Sequence, residues 1–280
     1  MNIQLQQQIT PELSLYAYND IPVLHLRHAV GTAKIALQGA HLFSWQPAHS
    51  KQDVLWLSDI EPFKSGTAIR GGIPICYPWF GNAGTPAHGF ARTSLWQLSD
   101  YEIGSDKVRL VFSLFSKHNI ILAKIEMLFT EHCDLRFTHY GETGMENVQL
   151  ALHSYFNVGN IANTSIVNLP TTCFNSLTKS QETVPSPRTI NENVDCIYTA
   201  PPQPTEIHDQ ANQRTLFVTH QNASDVVLWN PWHKATSNMA ENGYQTMVCV
   251  ETARIYRYLE AGETCYTWRV AYNIPRTVIN

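Results

Sequence analysis

The chain has 280 residues, 44% of them hydrophobic, and a formal net charge of −4 at pH 7 with histidine neutral. The absence of a basic run argues against nucleic acid as a partner, and no apolar stretch reaches the roughly 18 residues that a membrane helix needs. The first twenty residues contain no basic segment followed by an apolar one, so we expect no signal peptide and a cytoplasmic location.

Short runs of alternating apolar and polar residues dominate the chain. This period of two is typical of half-buried antiparallel strands. The runs lie at residues 22–27, 32–37, 53–57, 107–115, 120–130, 133–140, 146–154, 215–219, 225–229, 245–251 and 265–272. Because helical patterns are rare, we expect an all-β protein, with one large antiparallel β-sandwich domain over residues 1–280 and a few short helices.

Residues 69–92, IRGGIPICYPWFGNAGTPAHGFAR, are the most unusual segment. Its glycines permit positive φ and close backbone approach, and its prolines fix φ and withhold donors, so a regular strand or helix is excluded. We expect a rigid loop that holds Arg70, His88 and Arg92 in set positions. Since the guanidinium group matches the geometry of carboxylates and phosphates, the loop predicts a small anionic or polyhydroxylated ligand.

Residues 146–161, ENVQLALHSYFNVGNI, place a histidine at the end of a strand. Alternation puts Leu150 and Leu152 on one face and His153 on the other, more polar face. Imidazole titrates near pH 6.5, so His153 is a candidate general acid or base. The alternative is a half-exposed structural histidine on a sheet.

Asp195 and the residues after it have both structural and functional interpretations. Asp195 follows a polar loop, where aspartate is commonly a turn or cap residue. Further along, Asn230 as N-cap and Pro231 at the first helical position predict a short helix. The tryptophans of the WNPW sequence at residues 229–232 would suit stacking against sugar rings.

Residues 244–255, YQTMVCVETARI, place a carboxylate on an apolar face. Val248 and Val250 share one face of this strand, and Glu251 ends the other. A buried carboxylate normally requires a partner. Glu251 is therefore either paired structurally with an arginine such as Arg254 or a base tuned for proton abstraction.

Several common functional motifs are absent from the sequence. It contains no P-loop, no G-x-G-x-x-G fingerprint, no G-x-S-x-G elbow and no zinc-binding spacing of histidines and cysteines. We therefore expect no cofactor, no metal and no hydrolase serine. The six cysteines form no C-x-x-C pair, which predicts free buried thiols in a reducing cytosol.

Five stretches occur in a familiar order between about residues 20 and 270: IRGGIPICYPWFG, PAHGFAR, ALHSYFNVGNI, LWNPW and MVCVE. Together they resemble the glucose-6-phosphate 1-epimerases, also called D-hexose-6-phosphate mutarotases, of the aldose 1-epimerase superfamily. The resemblance implies a galactose mutarotase-like sandwich with a sugar site on a concave sheet face, and a monomer that acts on a hexose 6-phosphate without a cofactor.

The resemblance also implies a mechanism of acid–base ring opening. Glu251 would be the catalytic base that removes the proton from the anomeric hydroxyl, and His153 the catalytic acid that protonates the ring oxygen. The ring opens to an aldehyde, rotates about C1–C2 and closes on the other face. We expect the two groups to come from distant strands to opposite sides of one hexopyranose.

The remaining residues would bind the substrate, again by resemblance. Arg70 and Arg92 would hold the 6-phosphate, and His88 and Asp195 would contact sugar hydroxyls. The family often has arginine where this chain has Cys196, so one substrate contact would be missing here.

Two other functions stay open at the level of the sequence. Glu251 and Asp195 would serve as the carboxylate pair of a glycosidase. A sandwich of the same kind could also bind a sugar phosphate as a sensor, without catalysis. The presence of both His153 and Glu251 favours the mutarotase, because a binding module needs neither an acid nor a base.

Overall fold

The computed structural model of the protein describes residues 1–273. Its helices are three short 3-10 turns, at Ala91–Thr93, Ile161–Asn163 and Gly243–Thr246. Among these described residues, no helix is long and apolar enough to cross a membrane. The predicted all-β class with a few short helices is confirmed.

Apart from these turns, the regular secondary structure of the described residues consists of strands. In chain order they are β1 (Ile3–Gln8), β2 (Leu13–Tyr18), β3 (Ile21–His28), β4 (Gly31–Ala36), β5 (His41–Pro47), β6 (Ile75–Cys76), β7 (Gln97–Ile103), β8 (Val108–Phe115), β9 (Ile121–Phe129), β10 (Cys133–His139), β11 (Val148–Leu152), β12 (Tyr155–Asn157), β13 (Thr164–Val167), β14 (Thr172–Asn175), β15 (Ser180–Thr183), β16 (Arg188–Thr189), β17 (Val194–Thr199), β18 (Thr205–Asp209), β19 (Arg214–Gln221), β20 (Asp225–Asn230), β21 (Met247–Leu259) and β22 (Thr264–Asn273).

The strands form three antiparallel sheets. Strands β1 to β5 make a five-stranded sheet in sequence order. A nine-stranded sheet has the order β16-β13-β18-β19-β22-β10-β9-β8-β7. An eight-stranded sheet has the order β15-β14-β17-β20-β21-β11-β6, with β12 also paired to β21. Buried residues of all three sheets belong to one hydrophobic cluster, as expected for the predicted sandwich. A single domain over residues 1–280 extends beyond the described residues and stays a prediction.

The two faces of the eight-stranded sheet have different environments. On β21, Val248 and Val250 are fully buried in the main core. Cys249 and Glu251 point to the opposite face, because successive side chains of a strand alternate. The predicted alternation in this segment is therefore confirmed, and it sets one carboxylate apart from the core.

Three local predictions are wrong. Residues 69–92 do contain a regular strand, because the backbone of Ile75–Cys76 pairs with β11 as strand β6 at the edge of the eight-stranded sheet. Residues 53–57 form isolated bridges through Leu55 and Leu57 rather than a strand. The helix predicted after Asn230 is absent, because Trp232 has a φ of 51°, which a right-handed helix does not allow. The buried amide of Asn230 instead donates hydrogen bonds of 2.9 Å each to the carbonyl oxygens of Tyr244 and Met247.

The prediction that the thiols are free and buried is confirmed for the described residues. All six thiols are free and buried, at Cys76, Cys133, Cys173, Cys196, Cys249 and Cys265.

Candidate active site

The glycine- and proline-rich loop fixes His88 by backbone geometry. Gly89 has a φ of 74°, and a β-carbon there would collide with the carbonyl oxygen of Tyr77. His88 is also left-handed, with a φ of 65°. Its backbone N–H donates to the Gly81 carbonyl at 2.8 Å, and its Nδ1 accepts from the Gly81 N–H at 3.3 Å. These contacts hold the imidazole in place, as predicted for this loop.

Strand register brings His153 and Glu251 together. Leu152 pairs with Thr252 across β11 and β21, and Tyr155 pairs with Cys249 across β12 and β21. Both pairs have the same register, which places His153 opposite Glu251 between them. Paired residues on one face of a sheet have side chains in contact range.

Two rows of side chains extend from this pair across the sheet through β20 and β17. One row consists of His153, Glu251, Val227 and Ile197, and the other of Tyr155, Cys249, Trp229 and Asp195.

His153 and Glu251 are in direct contact. Nδ1 of His153 lies 3.3 Å from Oε1 of Glu251. Only 9% of the histidine and 1% of the glutamate surface is exposed, so the interpretation of a half-exposed histidine is wrong. Among the described residues, neither His153 Nδ1 nor Glu251 Oε2 has a hydrogen-bond partner. The expected placement on opposite sides of a sugar ring is also wrong, because the two groups lie side by side on one wall.

The structural alternative for Glu251 is excluded by its neighbour. Arg254 is buried, forms an ion pair of 3.0 Å with Glu263 and donates hydrogen bonds to the carbonyls of Arg257 and Tyr258. Its guanidinium is therefore occupied elsewhere, and Glu251 contacts His153 instead.

Burial and neighbouring charges favour the neutral form of both groups. Burial lowers the pKa of His153 well below its ordinary value, and positive charge on His88, Arg70 and Arg92 lowers it further. Burial likewise raises the pKa of Glu251 well above its ordinary value, with a smaller contribution from the carboxylate of Asp195. Burial therefore favours neutral imidazole and carboxylic acid over the charged pair.

Aromatic rings surround the imidazole of His153. Tyr155 stacks on it at a centroid distance of 4.9 Å and an angle of 9°. Trp229 and His88 approach with their edges at 6.0 and 5.7 Å. Phe80 in turn lies 5.0 Å from the His88 ring. This packing fixes the plane of the His153 ring.

Arg70 is held at the edge of the cavity by two other residues. Its Nη1 donates to the hydroxyl of Tyr155 at 2.8 Å, and its Nε and Nη2 donate to the carbonyl and the hydroxyl of Ser237 at 2.9 and 3.1 Å. A guanidinium has five N–H donors, so five minus these three leaves two for a ligand. The arrangement suits a partly solvated anion.

The cavity between these groups has a volume of about 410 Å³ and is lined by five of the six predicted site residues. They are Arg70, His88, His153, Asp195 and Glu251. Arg92 is not among the lining residues. Its Nη2 donates to the carbonyl of Ala87 at 2.8 Å, and its charge, after burial, contributes to a His88 pKa of about 4.

Asp195 lies within strand β17, so the turn or cap interpretation is wrong. Burial raises the pKa of its carboxyl group, against the opposing effects of Ser176 and Lys179, and both of these residues also line the cavity. Cys196 points away, into the main core. Residue 196 therefore does not face this cavity, and the lack of an arginine there removes no contact from its wall.

Sequence reasoning missed several residues in or behind the cavity wall, and Tyr155 and Lys179 show two different reasons. Tyr155 follows His153 by two residues, so strand alternation could have placed it on the same face. Lys179 lies in the turn between β14 and β15, with a φ of 61°. A turn lysine gives no periodic signal, and only the folded chain brings it to Asp195.

Tyr155 should matter for the anion more than for the chemistry. For the hexose 6-phosphate that the sequence resemblance implies as substrate, we expect Tyr155→Phe to raise KM by about 3–10-fold, because Arg70 loses one charge-assisted hydrogen bond but keeps Ser237. The stacked ring remains, so kcat should stay within about twofold. Tyr198→Phe is the matched control, since that tyrosine is buried and does not line the cavity. Steady-state kinetics of both variants would contradict this role if KM for the Tyr155 variant were unchanged.

Comparison with known proteins places this chain in a family. Residues 22–273 match the family model described as aldose 1-epimerase. The chain is 56% identical over 265 residues to a protein of Haemophilus influenzae named "Putative glucose-6-phosphate 1-epimerase", covering 94% of this chain and 97% of that one. It is 39% identical over 264 residues to a protein of Escherichia coli with the same name, covering 88% of each.

Solved structures agree. The crystal structure of HI1317 superposes with a TM-score of 0.95 at 59% identity, covering 98% of this chain and 100% of the other. That of a mutarotase-like protein of Salmonella typhimurium, named "putative mutarotase (YeaD)", has a TM-score of 0.87 at 34% identity and covers 95% of each chain. The chain belongs to the aldose 1-epimerase family of isomerases.

Proposed function

We propose that the protein is a hexose-6-phosphate mutarotase that interconverts the α and β anomers of glucose 6-phosphate and related hexose 6-phosphates. The observation that carries the proposal is the contact between His153 and Glu251 on the wall of a cavity edged by Arg70. Mutarotation needs one proton donor and one acceptor at two oxygens that are bonded to the same carbon. Two titratable groups 3.3 Å apart are suited to serve such neighbouring oxygens.

The protons balance over one ring opening. Glu251 takes the proton of the anomeric hydroxyl while protonated His153 gives its proton to the ring oxygen. The C1–O5 bond breaks and a C1=O1 double bond forms. The pair ends as neutral imidazole and carboxylic acid, the state that burial favours. Closing the ring on the other face of C1 reverses both transfers, so the enzyme returns to its starting state without a cofactor.

The phosphate group would also prepare the pair for this step. The charges of Arg70 and Arg92 lower the pKa of His153 and thereby disfavour the protonated acid. A phosphate dianion beside Arg70 would offset this positive charge, so substrate binding should shift the proton from Glu251 towards His153. Binding of the phosphate, which does not react, would in this way favour the proton transfers at C1.

The other cavity residues suit the sugar. Asp195 and His88 offer polar groups for hydroxyls, Trp229 offers an aromatic ring, and Lys179 adds a positive charge beside Asp195. A volume of about 410 Å³ lies in the range of small-molecule sites. We also propose that the protein acts as a cytoplasmic monomer, in keeping with six free buried thiols.

The proposal is tested by NMR exchange on α-glucose 6-phosphate, with and without the protein. We expect faster exchange between the two anomers and no other product. Free α-glucose should exchange more slowly at equal concentration. Hydrolysis of an aryl glucoside without anomer exchange would identify a glycosidase, and binding of the sugar phosphate without faster exchange would identify a sensor.

The two arginines should differ in their effect on substrate binding. Arg70→Ala should raise KM for glucose 6-phosphate by about 10–100-fold, because a charge-assisted contact is lost, and should leave KM for free glucose within a few-fold. Arg92→Ala should have a smaller effect, since Arg92 does not line the cavity. Steady-state kinetics with both sugars test this prediction. An equal rise in KM for the phosphorylated and the free hexose in Arg70→Ala would refute the assignment of Arg70 to the phosphate.

A further inference from the structure

The wall that carries the acid–base pair also carries a thiol. Cys249 and Glu251 lie two residues apart on the same face of β21, and His153 lies opposite Glu251. One ligand atom from each of these three side chains lies within 4.8 Å of the others. A nitrogen, a sulfur and an oxygen therefore lie close together on the buried wall.

Two of these atoms lack hydrogen-bond partners. His153 Nδ1 and Glu251 Oε2 are buried and unbonded among the described residues, although buried polar atoms are normally satisfied. Only 9% of the surface of His153 and 1% of that of Glu251 is exposed, so bulk water has little access to these two side chains. These free lone pairs point to an additional ligand in this place.

We infer that His153, Cys249 and Glu251 form an inhibitory binding site for one Zn²⁺ ion, with the fourth coordination position open to the sugar cavity. Zinc takes tetrahedral sets of imidazole, thiolate and carboxylate, and its bond lengths place neighbouring ligand atoms about 3.3–3.6 Å apart. The His153–Glu251 distance of 3.3 Å already matches this spacing. Mg²⁺ and Ca²⁺ do not fit, because they require six or more oxygen ligands.

The charges in the site suit a divalent ion with these ligands. A thiolate and a carboxylate together balance the two positive charges of zinc, so the bound centre is neutral and the nearby arginines do not oppose it. Burial raises the pKa of the Cys249 thiol well above its ordinary value. Zinc binding therefore has to displace the thiol proton, as is common for metal-bound cysteine.

Occupancy by zinc would stop proton transfer. The ion would hold lone pairs of Glu251 and the imidazole of His153, and its open position would lie where the sugar binds. We expect inhibition that is competitive with glucose 6-phosphate and reversed by a chelator. The ion has no part in the ring-opening step itself.

The test is calorimetric titration of Zn²⁺ into chelator-treated wild-type protein and two variants. Cys249→Ser should weaken zinc binding at least tenfold and should keep basal activity, because the thiol takes no part in catalysis. Cys265→Ser is the matched control, since Cys265 is a buried thiol of the nine-stranded sheet, and its zinc affinity should equal that of the wild type. Unchanged zinc affinity in Cys249→Ser would overturn the site.

Cobalt gives an independent measurement that needs no variant. Co²⁺ bound to the wild-type protein should show a thiolate-to-cobalt charge-transfer band, and glucose 6-phosphate should remove it by competition. Absence of the band would overturn the inference even if Cys249→Ser failed to fold. Zinc affinity and the cobalt band are independent of mutarotase activity and stay interpretable if the proposed function fails; only the displacement by glucose 6-phosphate rests on that function.

Discussion

Glu251→Gln should lower kcat for the mutarotation of glucose 6-phosphate by about 10²–10⁴-fold, with little change in KM. The amide keeps the size of the side chain and one acceptor oxygen, but it cannot take the proton of the anomeric hydroxyl. His153→Gln should cause a loss of the same order, because the ring oxygen then lacks its acid. Binding should survive in both variants, since the arginine and the aromatic rings remain.

The double variant gives a sharper test of the pair. Because His153 and Glu251 exchange one proton as a unit, removing both should cost little more than removing either one. Glu206→Gln is a matched control, since Glu206 contacts His208 at 2.7 Å outside the cavity. Exchange NMR would contradict the assignment if Glu251→Gln stayed within a few-fold of wild type, or if the two single losses multiplied in the double variant.

The fold class was predictable because alternation is a local signal. The faces of β11 and β21 follow from residue order alone, and the structure confirms them at Val248 and Val250. The helix after Asn230 failed for a reason that local signals do not contain. The Asn230 amide is used to tie two distant carbonyls together, and Trp232 adopts a left-handed conformation. Tertiary contacts thus overrode a favourable capping sequence.

Five residues of the candidate cavity were predictable from the sequence, but their arrangement was not. Sequence motifs identified His153 and Glu251, yet the register that sets them opposite each other joins segments about a hundred residues apart. Neither motif alone indicates on which side of a bound sugar its side chain would lie. Lys179 was missed for a similar reason. It lies in a turn, and it comes near Asp195 only when β14 and β17 pair.

Acidification should unfold the protein as buried neutral histidines are forced to accept a proton. His41 is fully buried, and its Nε2 donates a hydrogen bond of 2.7 Å to the Gly71 carbonyl. Its Nδ1 has no hydrogen-bond partner among the described residues, so a second ring proton would have none either. Burial lowers the pKa of His41 to about 4, and that of His220, between two threonine hydroxyls, to about 3.

The sign of the effect follows from linkage. The unfolded chain binds a proton at each histidine near pH 6.5, whereas the folded chain does not until the lower pKa is reached. Below about pH 6.5 the unfolded state therefore binds more protons, and stability falls as pH falls. For each of the two histidines the loss by pH 4 is on the order of 3 kcal/mol, a large share of a typical total of about 5–15 kcal/mol.

Urea unfolding at a series of pH values, followed by tryptophan fluorescence, measures this loss. His41→Gln retains a donor for the Gly71 carbonyl but cannot be protonated, so it should lose less stability between pH 7 and pH 4 than the wild type, by about 3 kcal/mol. The comparison remains valid even if the variant is less stable at neutral pH, because it uses the change in unfolding free energy between pH 7 and pH 4 and not the value at one pH. His118→Gln, at an exposed imidazole, controls for the loss of a histidine. Parallel curves for His41→Gln and the wild type would show that the acid sensitivity arises elsewhere, and His220→Gln would then be the next variant to compare.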